Sequence, residues 1–348
     1  MYPTPAEEPF VSLPATHREV RLAALPDGVL TPGHFEVVTA PVPTPGPGQV
    51  LVRNRLMSVA AVMRPLTLAD PDTFGLPQLL HRAGEVMRGA ALGEVVRAPG
   101  TDLAPGTLVR HRAGWREYAV LNASEVSPVD PEALPDPAAH LSQGFTAWLG
   151  VVRGAGVRRG DTVFVTGAAG GVGSLAGQFA RLHGAARVIG STSSRHKADR
   201  LTRELGYDAV VLRGAGSIEE QLRAAAPDGI DVLFDTVGGE QLRAALALAR
   251  RNARFALVGA LAAQLSDDAL APTAISTLAL ITRSITLRGI SAVDHQDAMP
   301  AYLSEFGRAL REGALTYPYT RLTGLDRAPG ALCELVEGRH LGAVLVEL

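Results

Sequence analysis

Hydrophobic and polar positions follow two different rhythms along this chain. In the first third, short segments of alternating or compact apolar character fall at 17–23, 35–41, 49–59, 91–98 and 107–121, separated by residues rich in Pro and Gly. That pattern predicts a small, mostly β unit, and the run Pro43-Thr44-Pro45-Gly46-Pro47-Gly48 reads as a stiff turn between two of its strands. Around Leu141 the texture changes. Strand-like runs at 162–166, 187–191, 209–212, 230–234, 253–258 and 285–290 alternate with helical ones, the signature of βαβ units and a parallel sheet. These runs lack clean alternation, as strands covered on both faces do. Between them, Val172, Leu175, Ala176 and Phe179 recur at the spacing of one helix face. Ser217 followed by Glu220 reads as the start of another helix. From Pro300 onward the pattern predicts a helix and then a strand over 342–348 that returns to the first unit.

Six strands in this rhythm make a Rossmann-type sheet the leading architecture. The segment Thr162-Val-Phe-Val-Thr-Gly167-Ala-Ala-Gly170-Gly171-Val172-Gly173 supplies its chemistry: a strand, a tight glycine turn, then the amphipathic helix. Glycines there let main chain approach a pyrophosphate, and the helix N-terminus offers it free N–H groups and partial positive charge. The next strand selects the cofactor. NAD sites place an Asp or Glu at its end for the ribose hydroxyls. Here the strand runs into Ser191-Thr192-Ser193-Ser194-Arg195-His196-Lys197, with no carboxylate before Asp199. A 2′-phosphate suits that neighbourhood. Basic residues in a first helical turn oppose the helix dipole, and a bound anion explains them; the expected cofactor is NADPH.

Composition narrows the remaining classes. The chain has 348 residues, more than one typical core, so two domains are expected. Its formal net charge is −2 and it has no basic block, which leaves nucleic acid and anionic membranes without electrostatic support. No apolar run approaches the roughly 20 residues of a membrane span. The stretch 1–14, rich in proline, reads as a loose tail on a cytoplasmic protein rather than a signal peptide. Cys333 is the one cysteine, which rules out an internal disulfide and a thiolate-rich metal site. Its setting, Ala331-Leu332-Cys333-Glu334-Leu335-Val336, reads as buried packing.

With these pieces placed, the chain resembles the zinc-independent branch of the medium-chain dehydrogenase/reductase superfamily, and within it the prostaglandin reductase and alkenal double-bond reductase group. The resemblance runs from about Phe35 to Leu348. It rests on Pro47-Gly48-Gln49-Val50-Leu51-Val52-Arg53, Leu56-Met57-Ser58-Val59 with Met63-Arg64, Gly114-Trp115-Arg116-Glu117-Tyr118, and Gly144-Phe145-Thr146-Ala147-Trp148. The glycine turn with Gly177-Gln178, the run from Gly229 to Gly239, and Gly338-Arg339-His340-Leu341-Gly342 complete it.

The resemblance implies an α/β protein: a GroES-like β-barrel catalytic domain from 1–138 and 299–348, and a six-stranded parallel Rossmann domain for NADPH over 139–298. The active site should lie in the cleft between them. Carried over, Gly170, Gly171, Val172 and Gly173 line the pyrophosphate, and Lys197, with Ser191, Ser193 and Ser194, meets the 2′-phosphate. Arg213 stands where the group has a tyrosine near the adenosine phosphate, and Thr236 and His340 where it has asparagines. Thr146 belongs to the same cofactor set, while Val258, Gly259, Ala260, Ile290, Ser291 and Ala292 flank the nicotinamide. A homodimer joined at the edge strand 284–290 is also implied.

Two departures bear on chemistry. The group's Asp-Pro-Tyr-Met-Arg segment is here Ala60-Ala61-Val62-Met63-Arg64, and its loop after the fifth strand is here Gly259-Ala260-Leu261-Ala262-Ala263-Gln264-Leu265, so both tyrosines are missing. Arg64 is the candidate to steady an acceptor oxygen, and His295, in Ala292-Val293-Asp294-His295, the candidate proton donor. The expected reaction is NADPH-dependent reduction of the C=C bond of an α,β-unsaturated carbonyl, free or carrier-bound, by hydride transfer to the β-carbon. A quinone reductase of the zeta-crystallin kind and a cofactor-binding protein without turnover stand beside it as alternatives. A zinc alcohol dehydrogenase does not: the cleft cysteine is absent, and the Gly-His-Glu segment of such enzymes is here Arg82-Ala83-Gly84-Glu85-Val86. No metal is expected.

Overall fold

The computed structural model describes residues 13–67, 81–264 and 272–348. The expected loose tail falls mostly on 1–12, and Leu265 closes the loop without a tyrosine; both lie outside the described residues.

Strands β1 (Thr16–Leu22) and β2 (Phe35–Pro41) form an antiparallel pair. They are followed by β3 (Gln49–Val59), β4 (Ala91–Arg97), β5 (Leu108–His111), β6 (Tyr118–Asn122) and β7 (Ser127–Pro128). The segment 107–121, read as one unit from its pattern, is two strands. Trp115 breaks it: its side chain is fully buried and its backbone takes φ +65°, a left-handed conformation that no strand contains.

Helix α1 (Gly144–Leu149) runs through a π-helical turn, Gly150–Ala155, toward the second unit. That unit comprises β8 (Thr162–Val165), α2 (Gly173–Leu182), β9 (Arg187–Thr192), α3 (Arg195–Glu204), β10 (Ala209–Leu212) and α4 (Ile218–Ala225). It continues with β11 (Ile230–Asp235), α5 (Gly239–Ala247), β12 (Ala249–Leu257), α6 (Leu261–Gln264), α7 (Thr277–Arg283) and β13 (Thr286–Gly289). The strands pair in the order β10-β9-β8-β11-β12-β13, every pair parallel. This is the doubly wound dinucleotide-binding order, with its crossover point between β8 and β11. Along β8, Val163 and Val165 pack into one apolar cluster with Phe179 of α2, and Phe164 into another with Ile189 and Phe255. Both faces are covered, which is why no alternation is written in these strands. The Ser217 hydroxyl accepts the Glu220 N–H at 3.3 Å and caps α4, as the sequence predicts.

The last quarter of the described chain contains α8 (Met299–Arg311), β14 (Tyr319–Thr323), α9 (Ala328–Val336) and β15 (Ala343–Glu347). Strand β15 runs antiparallel to β3, with Val344 opposite Val59, and parallel to β14. The return of the chain to the first sheet is therefore as expected, with β14 as an additional strand. Among the described residues that sheet has seven strands along β14-β15-β3-β4-β5-β7, with β6 pairing β3. No helix among the described residues is long and apolar enough to cross a membrane.

Candidate active site

The site is built where β8 and β11 end. The Thr166 hydroxyl donates to Asp235 Oδ1 at 2.6 Å, and the same oxygen accepts the N–H groups of Val237 and Gly238 at 2.9 Å. This clamp fixes the two loops on either side of the crossover point. From Thr166 the chain turns through glycines into α2. A Cβ at Gly173 would lie 2.4 Å from the Gly167 carbonyl oxygen and 2.7 Å from Ala168 Cα. Both are main-chain atoms that cannot yield, so only glycine lets the helix start this close to the strand.

The turn forms one wall of a cleft of about 400 Å³. The facing wall comes from the other sheet: Val59 to Val62 after β3, Gly342 to Val344 entering β15, and the segment 335–340 before it. The Gly342 N–H donates to the Ala169 carbonyl at 2.9 Å, so the two walls meet at the glycine turn itself.

Of the residues expected to hold the cofactor, Thr146, Gly170, Gly171, Val172, Ser191, Ser193, Lys197, Arg213 and His340 line this cleft. Ser194 lies behind it as the cap of α3, accepting the Lys197 N–H at 3.3 Å. Gly173 is buried beneath the turn. Thr236 ties the ends of β8 and β11, its hydroxyl donating to the Thr166 carbonyl at 2.9 Å. The N–H groups of Val258 and Gly259 are bonded to the Asp235 carbonyl, and Ile290 is packed into the core. These three, with Ala260, Ser291 and Ala292, follow the C-terminal ends of β12 and β13 without lining the cleft. Arg64 and His295 do not line it either. Arg64 follows the lining residues Ala61 and Val62, and His295 lies in the turn Ala292–Ala298 after β13.

At the β9 end the cleft is polar. The Ser191 hydroxyl accepts the Gly167 N–H at 3.0 Å and donates to Gln241 Oε1 at 2.5 Å. The ammonium of Lys197 donates to the carbonyls of Gly338 and of His340, the latter at 2.6 Å. Burial pushes its pKa below the usual lysine value. The exposed Arg213 guanidinium stands nearby, and the carboxylate of Glu337, which also lines the cleft, is paired with Arg339 at 2.5 Å. The ring of His340 faces Glu334 at 3.0 Å, so its main chain rather than its imidazole meets Lys197. No carboxylate stands at the end of β9 itself.

The opposite part, toward Val59, Ala60, Ala61 and Val62, is largely apolar. Its polar lining side chains among the described residues are Gln143 and Thr146. Neither Gln143 nor Gln241 was expected from sequence. A lone glutamine before a helix carries no local signal, and both enter the cleft through long-range packing.

A Rossmann sheet with a glycine turn, a second sheet wrapped from both sides of it, and a cleft between them define a medium-chain dehydrogenase/reductase. The chain belongs to this family, in its zinc-independent branch. Residues 18–129 match the family described as N-terminal domain of oxidoreductase, and residues 171–308 that described as zinc-binding dehydrogenase. The chain is 32% identical to the putative NADP-dependent oxidoreductase YfmJ of Bacillus subtilis, over 96% of this chain and 98% of that protein. It is 29% identical to the NADPH-dependent curcumin reductase of Escherichia coli, over 94% and 95% of the two chains. The solved structure of CurA from Vibrio vulnificus in complex with NADPH superposes with a TM-score of 0.85, at 27% identity over 95% of this chain and 98% of that one.

Proposed function

We propose that this protein reduces the C=C bond of an α,β-unsaturated carbonyl compound with NADPH. The observation that carries the reading is the polarity of the cleft. One part gathers Ser191, Ser193, Lys197 and Arg213 with no acidic residue at the end of β9, and the other is apolar. The residues present fit a dinucleotide phosphate. The glycine turn and the first N–H groups of α2 suit a pyrophosphate. Lys197, the hydroxyls of β9's turn and Arg213 suit a 2′-phosphate, which an acidic residue there would repel. The similarity to an NADPH-dependent curcumin reductase and to an NADPH complex of the same fold supports the same choice.

When bound, NADPH supplies a hydride to the β-carbon of the acceptor. The protein's part is to hold that carbon in reach and to shield the apolar region from water. Negative charge builds on the carbonyl oxygen as the π electrons shift, and a hydrogen-bond donor beside that oxygen lowers the barrier. Water protonates the α-carbon of the resulting enolate, so a dedicated acid is not required. Arg64, adjoining the apolar wall, is suited to attract a carboxylate-bearing acceptor.

The reading extends to a homodimer. Among the described residues strand β13 is an open edge of the parallel sheet, and neighbouring α7 exposes Leu278 and Ile281 one turn apart. An unpaired edge beside exposed apolar side chains is a liability that a second copy removes.

The test is NADPH oxidation with a panel of enals, enones and quinones, with the product from 4-deuterated NADPH examined by NMR. Deuterium at the β-carbon of a saturated carbonyl product is the expected result. An allylic alcohol, with deuterium at the former carbonyl carbon, would refute C=C reduction. Turnover of quinones alone would favour the quinone reductase alternative.

A further inference from the structure

In the apolar part of the cleft, the Gln143 side chain makes fewer hydrogen bonds among the described residues than its amide can. Gln143 immediately precedes α1 and faces the glycine turn. Its Oε1 is buried with no hydrogen-bond partner, and a Cβ on Gly171 would lie 2.3 Å from it. Its Nε2 donates to Ser58 Oγ at 3.2 Å. Ser58 is itself buried, on β3 of the opposite sheet, so the carboxamide reaches across the cleft to that sheet. A primary amide nitrogen carries two N–H bonds. Ser58 takes one, and the other has no acceptor among the described residues.

A buried amide oxygen left unpaired costs about 1–3 kcal/mol. Proteins retain such a group where something else completes it. The same part of the cleft is lined by Val59, Ala60, Ala61, Val62 and Val172, none with a polar side chain. Thr146, the other polar side chain there, has a single hydroxyl. Among the described residues whose side chains line this part of the cleft, Gln143 is the one that presents a side-chain N–H.

We propose that the Gln143 N–H donates to the carbonyl oxygen of the unsaturated acceptor, with Ser58 as the positioning residue that sets its direction. This rests on the C=C reductase reading and gives that reaction the oxygen-side donor that the missing tyrosines leave open. As the new C–H bond forms at the β-carbon, the C=C π pair moves toward the carbonyl and charge gathers on the oxygen. The amide N–H strengthens its bond to that oxygen without giving up its proton. Water then delivers the proton to the α-carbon.

The experiment compares Gln143→Met, Gln143→Glu and Ser58→Ala with the unaltered protein. Three readouts are taken: NADPH affinity, turnover with an enone the unaltered protein reduces, and calorimetric affinity for that enone in the presence of NADP⁺, where no reduction occurs. Gln143→Met should cut turnover about a hundred- to a thousandfold, the usual effect of removing one oxyanion donor. It should weaken enone binding and leave NADPH affinity within about twofold. Ser58→Ala should give a smaller loss, in kcat more than in KM. Gln143→Glu should be active only at low pH, where its carboxyl is protonated and can donate, and turnover should fall as pH rises. A merely structural glutamine gives no such profile.

Unchanged turnover and enone affinity in Gln143→Met would overturn the proposal while leaving the reductase reading intact. An unaltered protein inert toward the whole panel would remove the reductase reading. Calorimetric affinity for the enones of the panel with NADP⁺ would then still decide whether Gln143 contacts a carbonyl. If Gln143→Met fails to fold, Gln143→Asn, which withdraws the same amide by one methylene, replaces it in every arm.

Discussion

Lys197→Met separates the observed role of one ammonium from the one proposed for it. The charge ties α3 to the carbonyls of Gly338 and His340, and it lines the cleft where a 2′-phosphate is proposed. Methionine keeps most of the stem and removes the charge. Two hydrogen bonds from a charged donor are lost, each worth about 1.5–3 kcal/mol, but a desolvated ammonium disappears with them. The net cost to folding should therefore be modest, about 1–3 kcal/mol, and visible as a lowered melting temperature. For cofactor binding, one charge-assisted bond to the phosphate is lost. At about 1.4 kcal/mol per decade this weakens NADPH by ten- to a hundredfold. NADH has no 2′-phosphate and should change within about twofold. Fluorescence titrations of both cofactors, run below the melting range of the variant, read the difference. Equal losses for NADH and NADPH would refute the phosphate contact and leave Lys197 as a clamp between α3 and the 338–340 segment.

Other outcomes follow from the same structure. Burial holds His81 and His111 neutral, each pushed down to about 4, and His111 Nδ1 accepts the Ala113 N–H at 3.1 Å. The unfolded chain binds these protons near 6.5, so stability is retained above that pH and lost as pH falls toward about 4, by up to about 3 kcal/mol per histidine; urea unfolding at pH 7 and pH 5 should show the drop, and His111→Gln should shrink it. Gly173→Ala places a methyl against main chain and should destabilise by about 1–3 kcal/mol in the same assay, with a full-strength variant counting against the close-packed turn. Light scattering should give twice the 36.4 kDa chain mass, and a monomer across the micromolar range would refute the dimer. Prolonged EDTA treatment should leave melting temperature and turnover unchanged, whereas loss of either would point to a metal.

The sequence carries the fold well where local rules decide it. The bounds of β2 and β3 can be read from apolar spacing, and the glycine turn from glycines set between a strand-like run and an amphipathic helix; the crowding at Gly173 is its structural counterpart. It carries less where a long-range partner decides. Strand β14 has a mixed, half-exposed pattern and exists because β15 pairs with it. Trp115 splits an apolar stretch because a distant core receives its ring, stacked on Phe35 at 6.0 Å. In the cleft, Lys197 was legible as a basic residue after β9, but its bonds to Gly338 and His340 reach 141 and 143 residues along the chain. Gln143 gains its meaning only from Ser58 and Gly171, which its sequence neighbours do not announce.

The position of β15 has a consequence for how the protein is made. It is the last described element to leave the ribosome, yet it lies inside its sheet, between β14 and the much earlier β3. The parallel sheet is assembled from consecutive segments and can close while synthesis continues. The other sheet cannot: until 343–347 arrive, β3 presents an unpaired edge from Leu56 to Val59, beside apolar side chains that β15 later covers. Unpaired apolar edges of this kind are where nascent chains associate wrongly. Synthesis order thus allows a stage with a formed parallel sheet and an open partner sheet. Slow translation through 343–347 prolongs that stage, and yield in the cell should depend on how quickly that segment is delivered.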